Sequence, residues 1–132
     1  MPHVREVAGA TSVLLLVAIL GHAQEDTFES HLKDVERNEQ TPAGELYGPV
    51  FQKEFSTNYA ARLNECATQT GGLNTESFDL LLKVAAGGTV EEALVRPKSP
   101  FSTCFMQLAK KGTYPVPPSP GYWVAARVRF SK

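Results

Sequence analysis

Hydrophobic positions follow helical spacing in the first half of the chain and alternate in the second half. Residues 25–40 are polar and acidic, with Phe28, Leu32 and Val35 at helical spacing, which predicts a marginal amphipathic helix. The linker TPAG at 41–44 separates this helix from the rest. The pattern therefore predicts a mobile arm or tether.

A second helix is predicted to start at Pro49, because proline suits the first turn of a helix. Gly71 and Gly72 provide the end of this helix. Its apolar side chains fall on one stripe, which is typical of a helix that packs on a core. The stripe consists of Phe51, Phe55, Tyr59, Leu63 and Cys66.

From residue 77 the hydrophobic period changes to two, which predicts strands. The first strand has one apolar face, formed by Phe78, Leu80, Leu82 and Val84. Gly87 and Gly88 predict a hairpin turn, since glycine adopts positive φ without a steric penalty. The return strand, 89–96, breaks its alternation at Glu91-Glu92, where we expect a bulge. Such a bulge turns three side chains inward: Val90, Ala93 and Val95.

The chain after the hairpin predicts one more helix and one more strand. Ser99-Pro100 is a typical helix start, and the helix is expected to run through Lys111. The proline-rich segment 114–121 suits a stiff extended connection. In the last strand, 122–130, one face is apolar and the other carries Trp123, Ala125, Arg127 and Arg129. The order helix, hairpin, helix, strand predicts an α+β fold, with an antiparallel three-stranded sheet packed on helices.

Charge is balanced overall but unevenly distributed. The 132 residues, enough for one domain, carry 13 basic and 14 acidic side chains and have a net charge of -1. This balance argues against nucleic-acid binding, which requires a basic excess. Residues 24–79 have a net charge of -7, and residues 80–132 have a net charge of +6. The acidic arm is therefore expected to be able to fold back over the basic half.

The first 23 residues resemble a signal peptide. Arg5 precedes an apolar run, 13–20, and small residues follow at Gly21 and Ala23, so we place cleavage after Ala23. An uncleaved membrane anchor is the alternative, but the strongly apolar run is far shorter than the roughly 20 residues that span a bilayer. We therefore expect an exported protein, periplasmic or extracellular, that contacts a membrane only if the segment stays uncleaved.

Export makes the two cysteines interpretable. An even number of cysteines in a short exported chain predicts a disulfide, here Cys66 to Cys104. Their spacing is unlike the Cys-x-x-Cys of thiol oxidoreductases, and a metal site would need more ligands than these and His31. His31 also lacks a Ser or Cys partner within a catalytic motif. We therefore expect no catalytic residues, no metal and no cofactor.

The second half of the chain resembles the C-terminal domain of TonB. The resemblance covers residues 78–132 and rests on the strand 78–84, the segment 87–95, the helix after it, the segment YPVPP at 114–118 and the closing alternating strand. The family's second-strand pattern is occupied here by Val90, Ala93 and Val95, and its aromatic-x-Pro position by Tyr114. In that family a Trp often stands where this chain has Gly112.

The signal segment, the linker and the resemblance together divide the chain into three segments, and the resemblance implies a protein-binding role. The segments are a signal peptide at 1–23, an acidic arm and linker at 24–48, and a TonB-like domain at 49–132. TonB-like domains engage partners partly by strand addition, so we expect a protein or peptide partner at a sheet edge or at the last strand, possible homodimers by strand exchange, and a link to envelope transport. The expected contacts are Trp123, Arg127 and Arg129, since Trp and Arg are enriched in binding hot spots.

Two alternatives remain open from the sequence. The second helix could cover the outward face of the last strand, which would bury Trp123 and make that face structural. The protein could also be a secreted small-ligand carrier, or an inhibitor of an extracellular enzyme, with a cleft between helices and sheet.

Overall fold

The computed structural model describes residues 27–72 and 76–130, so the predicted signal segment lies outside the described residues. Four helices and a three-stranded sheet occur in this part of the chain: α1 (27–39), α2 (Pro42–Thr57), α3 (Tyr59–Thr70), β1 (Phe78–Val84), β2 (Val90–Arg96), α4 (Pro100–Lys110) and β3 (Tyr122–Val128). The strands are antiparallel in the order β2-β1-β3. The predicted α+β class and antiparallel three-stranded sheet are confirmed.

The hairpin between β1 and β2 has the predicted turn and the predicted bulge. Lys83 lies opposite Glu92, but the next residue, Val84, lies opposite Val90, so Glu91 is the extra residue of the bulge. Gly88 has a φ of 94°, in the left-handed region that favours glycine. The bulge therefore lets Val90 face the main core on the same side as Ala93 and Val95, although two glutamates lie between Val90 and Ala93.

The main core lies between one face of the sheet and the helices α2, α3 and α4. It contains the alternating apolar side chains of β1 and β3 together with aromatic rings of the helices, including Phe51, Phe55 and Phe105. Cys66 of α3 is bonded to Cys104 of α4, with their Cα atoms 5.7 Å apart, as the sequence predicts. The disulfide therefore links two helices that pack on the same core.

The helix boundaries before the sheet differ from the prediction in two ways. α2 begins at Pro42, and Pro49 lies inside it, because the Thr41 hydroxyl accepts a hydrogen bond from the Gly44 N–H at 3.0 Å and caps the helix there. The predicted single helix is also two helices, since the backbone leaves helical geometry at Asn58. The left-handed Gly71 ends α3 as predicted, with a φ of 87°.

The acidic arm is a packed helix, so the prediction of a mobile tether is wrong. α1 lies on the second face of the sheet, where Phe28 and Val35 are buried against Leu81, Trp123 and Ala125. The turn into α2 is tight, because a Cβ at Gly44 would lie 1.8 Å from the carbonyl oxygen of Asn38. Tertiary packing of Phe28, Val35 and the partly buried Leu32 stabilises a helix that would be marginal alone.

The proline-rich connection is fixed by Tyr114. Its backbone N–H donates to the carbonyl oxygen of Gly88 at 2.9 Å, and its hydroxyl donates to the carbonyl oxygen of Ala109 at 2.8 Å. A Cβ at Gly112 would lie 2.8 Å from an Nη atom of Arg62, so the Arg62 guanidinium occupies the space beside this glycine. These contacts attach the connection to both the hairpin turn and the end of α4.

Tyr47 makes the fold sensitive to alkaline pH. Its hydroxyl donates to the carbonyl oxygen of Pro115 at 2.8 Å, and burial, with smaller contributions from Tyr122 and Tyr114, raises its pKa from 10.0 to about 12. The folded state therefore holds this proton more tightly than the unfolded state, and stability should fall as the pH rises from 10 to 12, by up to about 1.4 kcal/mol per pH unit. Urea unfolding at several pH values would measure how steeply the free energy of unfolding falls with pH, and Tyr47→Phe should make this dependence shallower. An equal dependence in both proteins would contradict the assignment of the effect to Tyr47.

Candidate functional site

The predicted contact Trp123 is buried, and α1 covers it instead of the second helix. Only 5% of Trp123 is exposed, and the His31 ring stacks on its indole with ring centroids 4.1 Å apart. The Nδ1 atom of His31 also lies 3.0 Å from the Asp34 carboxylate, which holds the imidazole over the indole. Trp123 therefore packs inside the protein and cannot contact a partner while α1 is in place.

The two predicted arginines are half-exposed and each has an acidic partner. Arg127 lies 3.5 Å from the Glu39 carboxylate at the end of α1, with 46% of its side chain exposed. Arg129 lies 2.6 Å from the carboxylate of Asp79 and has 54% of its side chain exposed. The acidic arm therefore reaches one of these arginines, whereas the other pairs within the sheet.

At its other end α1 is held by an arginine of β2. Arg96 forms an ion pair with Glu29, and its guanidinium lies 4.3 Å from the centre of the Phe28 ring. Both ends of α1 are thus fixed by acidic side chains on basic residues of the sheet. This agrees with the charge asymmetry of the sequence.

The outer edge of β3 is covered by side chains from the first two helices. The amide of Asn38 donates to the carbonyl oxygen of Trp123 at 3.1 Å, and the amide of Gln52 donates to that of Ala125 at 3.0 Å. These carbonyls point away from β1, on the side where an added strand would bind. The last strand is therefore a closed edge along its first half, and sequence reasoning missed both amides, because nothing local marks a side chain that reaches a distant strand.

The outer edge of β2 has backbone groups that no other strand bonds, although Val95 is only 4% exposed. The Ala85 N–H donates to the carbonyl oxygen of Thr89, so alternation along the ladder directs Glu92, Leu94 and Arg96 toward β1. The backbone groups of Ala93 and Val95 then point outward. Among the described residues, none forms a hydrogen bond to these outward backbone groups. Unpaired backbone groups of this kind are a template for pairing with another strand.

A small cleft lies between α1, α2 and the edge of β3. Its walls include Val35, Tyr47, Phe51 and Tyr122, and the amides of Asn38 and Gln52 lie among its polar groups. The cleft is the part of the described structure that corresponds to the ligand-carrier alternative. It is lined mainly by side chains that also belong to the core.

Comparison with known proteins does not assign a family to this chain. No family model, no curated protein and no solved structure matches this chain. The described residues contain no group of three or more His, Cys, Asp or Glu side chains arranged to hold a metal ion. None of the described helices is both long and apolar enough to cross a membrane.

Proposed function

We propose that this protein is an exported interaction module, and not an enzyme, that binds an extended segment of a partner protein by adding it as a strand to its sheet. The outer edge of β2 carries this proposal, because the outward backbone groups of the partly exposed Ala93 have no partner among the described residues and can supply affinity without a preformed pocket. Export is supported by the Cys66–Cys104 pair, which is compatible with an oxidising compartment. The resemblance to TonB C-terminal domains suggests a role in envelope transport.

The sequence does not decide between a sheet edge and the last strand as the binding site. We favour the edge at β2 over the last strand. A partner at β3 would have to displace Asn38 and Gln52, whereas no described residue forms a hydrogen bond to the outward backbone groups of β2. Arg127 and Arg129 lie at the opposite edge of the sheet from β2 and pair with acidic side chains, so they are not part of the proposed contact. Trp123 is proposed as a structural residue beneath α1.

Proline substitutions on the two edges test the proposal. Peptides would first be selected for binding to the immobilised protein from a displayed random library, and then titrated while backbone amide shifts are recorded. We expect the amides of Ala93 and Val95 to move. Ala93→Pro should weaken binding about 10-fold or more, since it removes an outward N–H that the sheet itself does not use.

The matched control is Arg127→Pro, which removes an outward N–H from the edge of β3. It should change peptide affinity by less than about 2-fold, well below the effect of one lost hydrogen bond. Thermal unfolding of both variants checks that each is folded. The opposite pattern would place binding on the last strand, and shifts confined to Tyr47, Phe51 and Tyr122 would favour the ligand-carrier alternative.

A further inference from the structure

We infer that the cleft between α1, α2 and the edge of β3 is a second binding site, for a small neutral molecule that carries an amide group on an apolar body. The site goes beyond the proposed function, because β3 and β2 lie at opposite edges of the sheet. A ligand in this cleft therefore does not compete with a strand added to β2. The inference rests on an unpaired backbone donor, two fixed side-chain amides and a wall that lacks a side chain.

The backbone N–H of Ala125 is the unpaired donor inside the cleft. Alternation along β3 directs both backbone groups of Ala125 away from β1, and its carbonyl oxygen accepts from Gln52. No described residue forms a hydrogen bond to the Ala125 N–H, although Ala125 is only 7% exposed and lines the cleft. A buried N–H without a partner is rare and costly in folded proteins, so a ligand that supplies an acceptor here gains a hydrogen bond that the protein alone does not make.

Two side-chain amides complete the polar part of the cleft. Asn38 donates to the carbonyl oxygen of Trp123 at 3.1 Å, and Gln52 donates to that of Ala125 at 3.0 Å, so each amide is held by its NH2 group. Along the strand the Ala125 N–H lies between these two backbone carbonyls, so the two amides flank it. Their own side-chain oxygens form no hydrogen bond to another described residue and can each accept one. A donor flanked by two acceptors matches the C=O and N–H groups of an amide ligand.

The rest of the cleft is apolar and has room for a small molecule. Its walls include Val35, Tyr47 and Phe51. The cleft encloses about 320 Å³ including its open mouth, which equals the volume of about ten water molecules. This volume is at the lower end of the range of about 300–1,000 Å³ that is usual for ligand pockets. The cleft therefore suits an apolar body no larger than one aromatic ring.

The charges beside the cleft favour a neutral ligand. Glu39 is the one charged residue among the described residues that line it. Burial, and then the nearby Glu39 carboxylate, raise the pKa of Tyr122, which also lines the cleft. An anion would therefore lie close to a carboxylate and two amide oxygens. A cation would have to compete with Arg127, which already lies 3.5 Å from Glu39.

Gly48 leaves one wall of the cleft without a side chain. A Cβ at this position would meet no atom within 4 Å, and the φ of Gly48 is not in the left-handed region. A side chain here would therefore fill cleft space without a clash in the fold. The next residue is Pro49, whose ring disfavours helical geometry for a preceding residue that carries a Cβ. Variants at Gly48 are therefore best compared in a Pro49→Ala background.

Benzamide and benzoate test the site in the unmodified full chain. The two molecules have nearly the same shape, but benzoate is an anion and has no N–H. Each would be titrated while backbone amide shifts are recorded. Benzamide should bind with a dissociation constant of about 1 mM, as expected for so small a ligand, and should shift the amide of Ala125 and not that of Ala93. Benzoate should bind about 10-fold more weakly or worse, because it leaves the two amide oxygens without a donor.

Filling the cleft tests its position. In the Pro49→Ala protein, Gly48→Leu should weaken benzamide binding about 10-fold or more, and Gly48→Ala by a smaller factor. The melting temperature should stay equal or rise, since the new side chains enter empty space and both residues favour helix more than glycine does. The matched control is Gly87→Ala in the same background, because Gly87 also has open space around a Cβ and lies outside the cleft. It should leave the affinity for benzamide unchanged.

Three outcomes would overturn the inference. One is an Ala125 amide that does not shift with benzamide at about 10 mM, a concentration that nearly saturates a site with a millimolar dissociation constant. Another is equal affinity for benzamide and benzoate, which would show that the cleft does not recognise an amide. The last is a folded Gly48→Leu variant that binds benzamide as tightly as its Pro49→Ala parent. Strand addition at β2 is unaffected by all three, because peptides bound there are detected at the amide of Ala93.

Discussion

Replacing Cys66 and Cys104 by alanine is expected to lower the free energy of unfolding by about 4 kcal/mol, which is the chain-entropy estimate for a loop of this length. The bond closes a loop with a sequence separation of 38 and links α3 to α4. Unfolding in guanidinium, followed by circular dichroism, would measure the loss. This loss is between about a quarter and most of the total stability of about 5–15 kcal/mol that is typical of a small domain.

Reduction of the wild-type protein provides the control for the lost sulfur atoms. Cys66 is completely buried, so its replacement by alanine also removes packing. The reduced wild type keeps both side chains and should lose nearly as much stability as the double variant. Two free thiols detected by mass in the native protein would contradict the disulfide itself.

Gly88→Val is expected to destabilise the protein by about 2 kcal/mol or more and to disturb the hairpin. Two effects add: a β-branched residue at a φ of 94° is strained, and a Cβ would lie 2.2 Å from the carbonyl oxygen of Tyr114. The clash involves backbone, which cannot rotate away. The substitution should therefore also loosen the proline-rich connection, because Tyr114 donates its N–H to Gly88.

Gly87→Val is the matched control for this prediction. Gly87 belongs to the same turn, but a Cβ there meets no atom within 4 Å, and its φ is not in the left-handed region. Melting temperature should fall clearly for Gly88→Val and little for Gly87→Val. Equal losses at the two positions would show that the turn tolerates side chains poorly in general, and that the Tyr114 contact has no special role.

The site differs from its prediction mainly because of α1. Alternation correctly places Trp123 and Arg127 on the face of β3 that points away from the main core, and Arg129 follows the end of the strand at Val128. It does not reveal that a helix from the start of the chain covers this face and buries the tryptophan. The opposite charges of the acidic arm and the basic half suggested that the arm contacts the sheet. The contact itself is formed by the apolar side chains of α1, which are spaced as on a helix.

The sequence by itself determined the features that depend on neighbours within a few residues. The alternation of β1 and β3, the glycine turn at Gly88 and the bulge at Glu91 are all local patterns, because strand direction repeats every two residues and glycine is needed where φ is positive. The pairing of Cys66 with Cys104 followed from a count of cysteines that left one combination.

Only the tertiary structure decided which surfaces remain free. The closure of the β3 edge by Asn38 and Gln52 depends on where two helices stand relative to a strand more than 70 residues away along the chain. The start of α2 at Pro42 likewise follows from the Thr41 cap and the close approach to α1 at Gly44. Such contacts join residues distant in sequence, and no periodicity encodes them, because packing of whole elements sets their geometry.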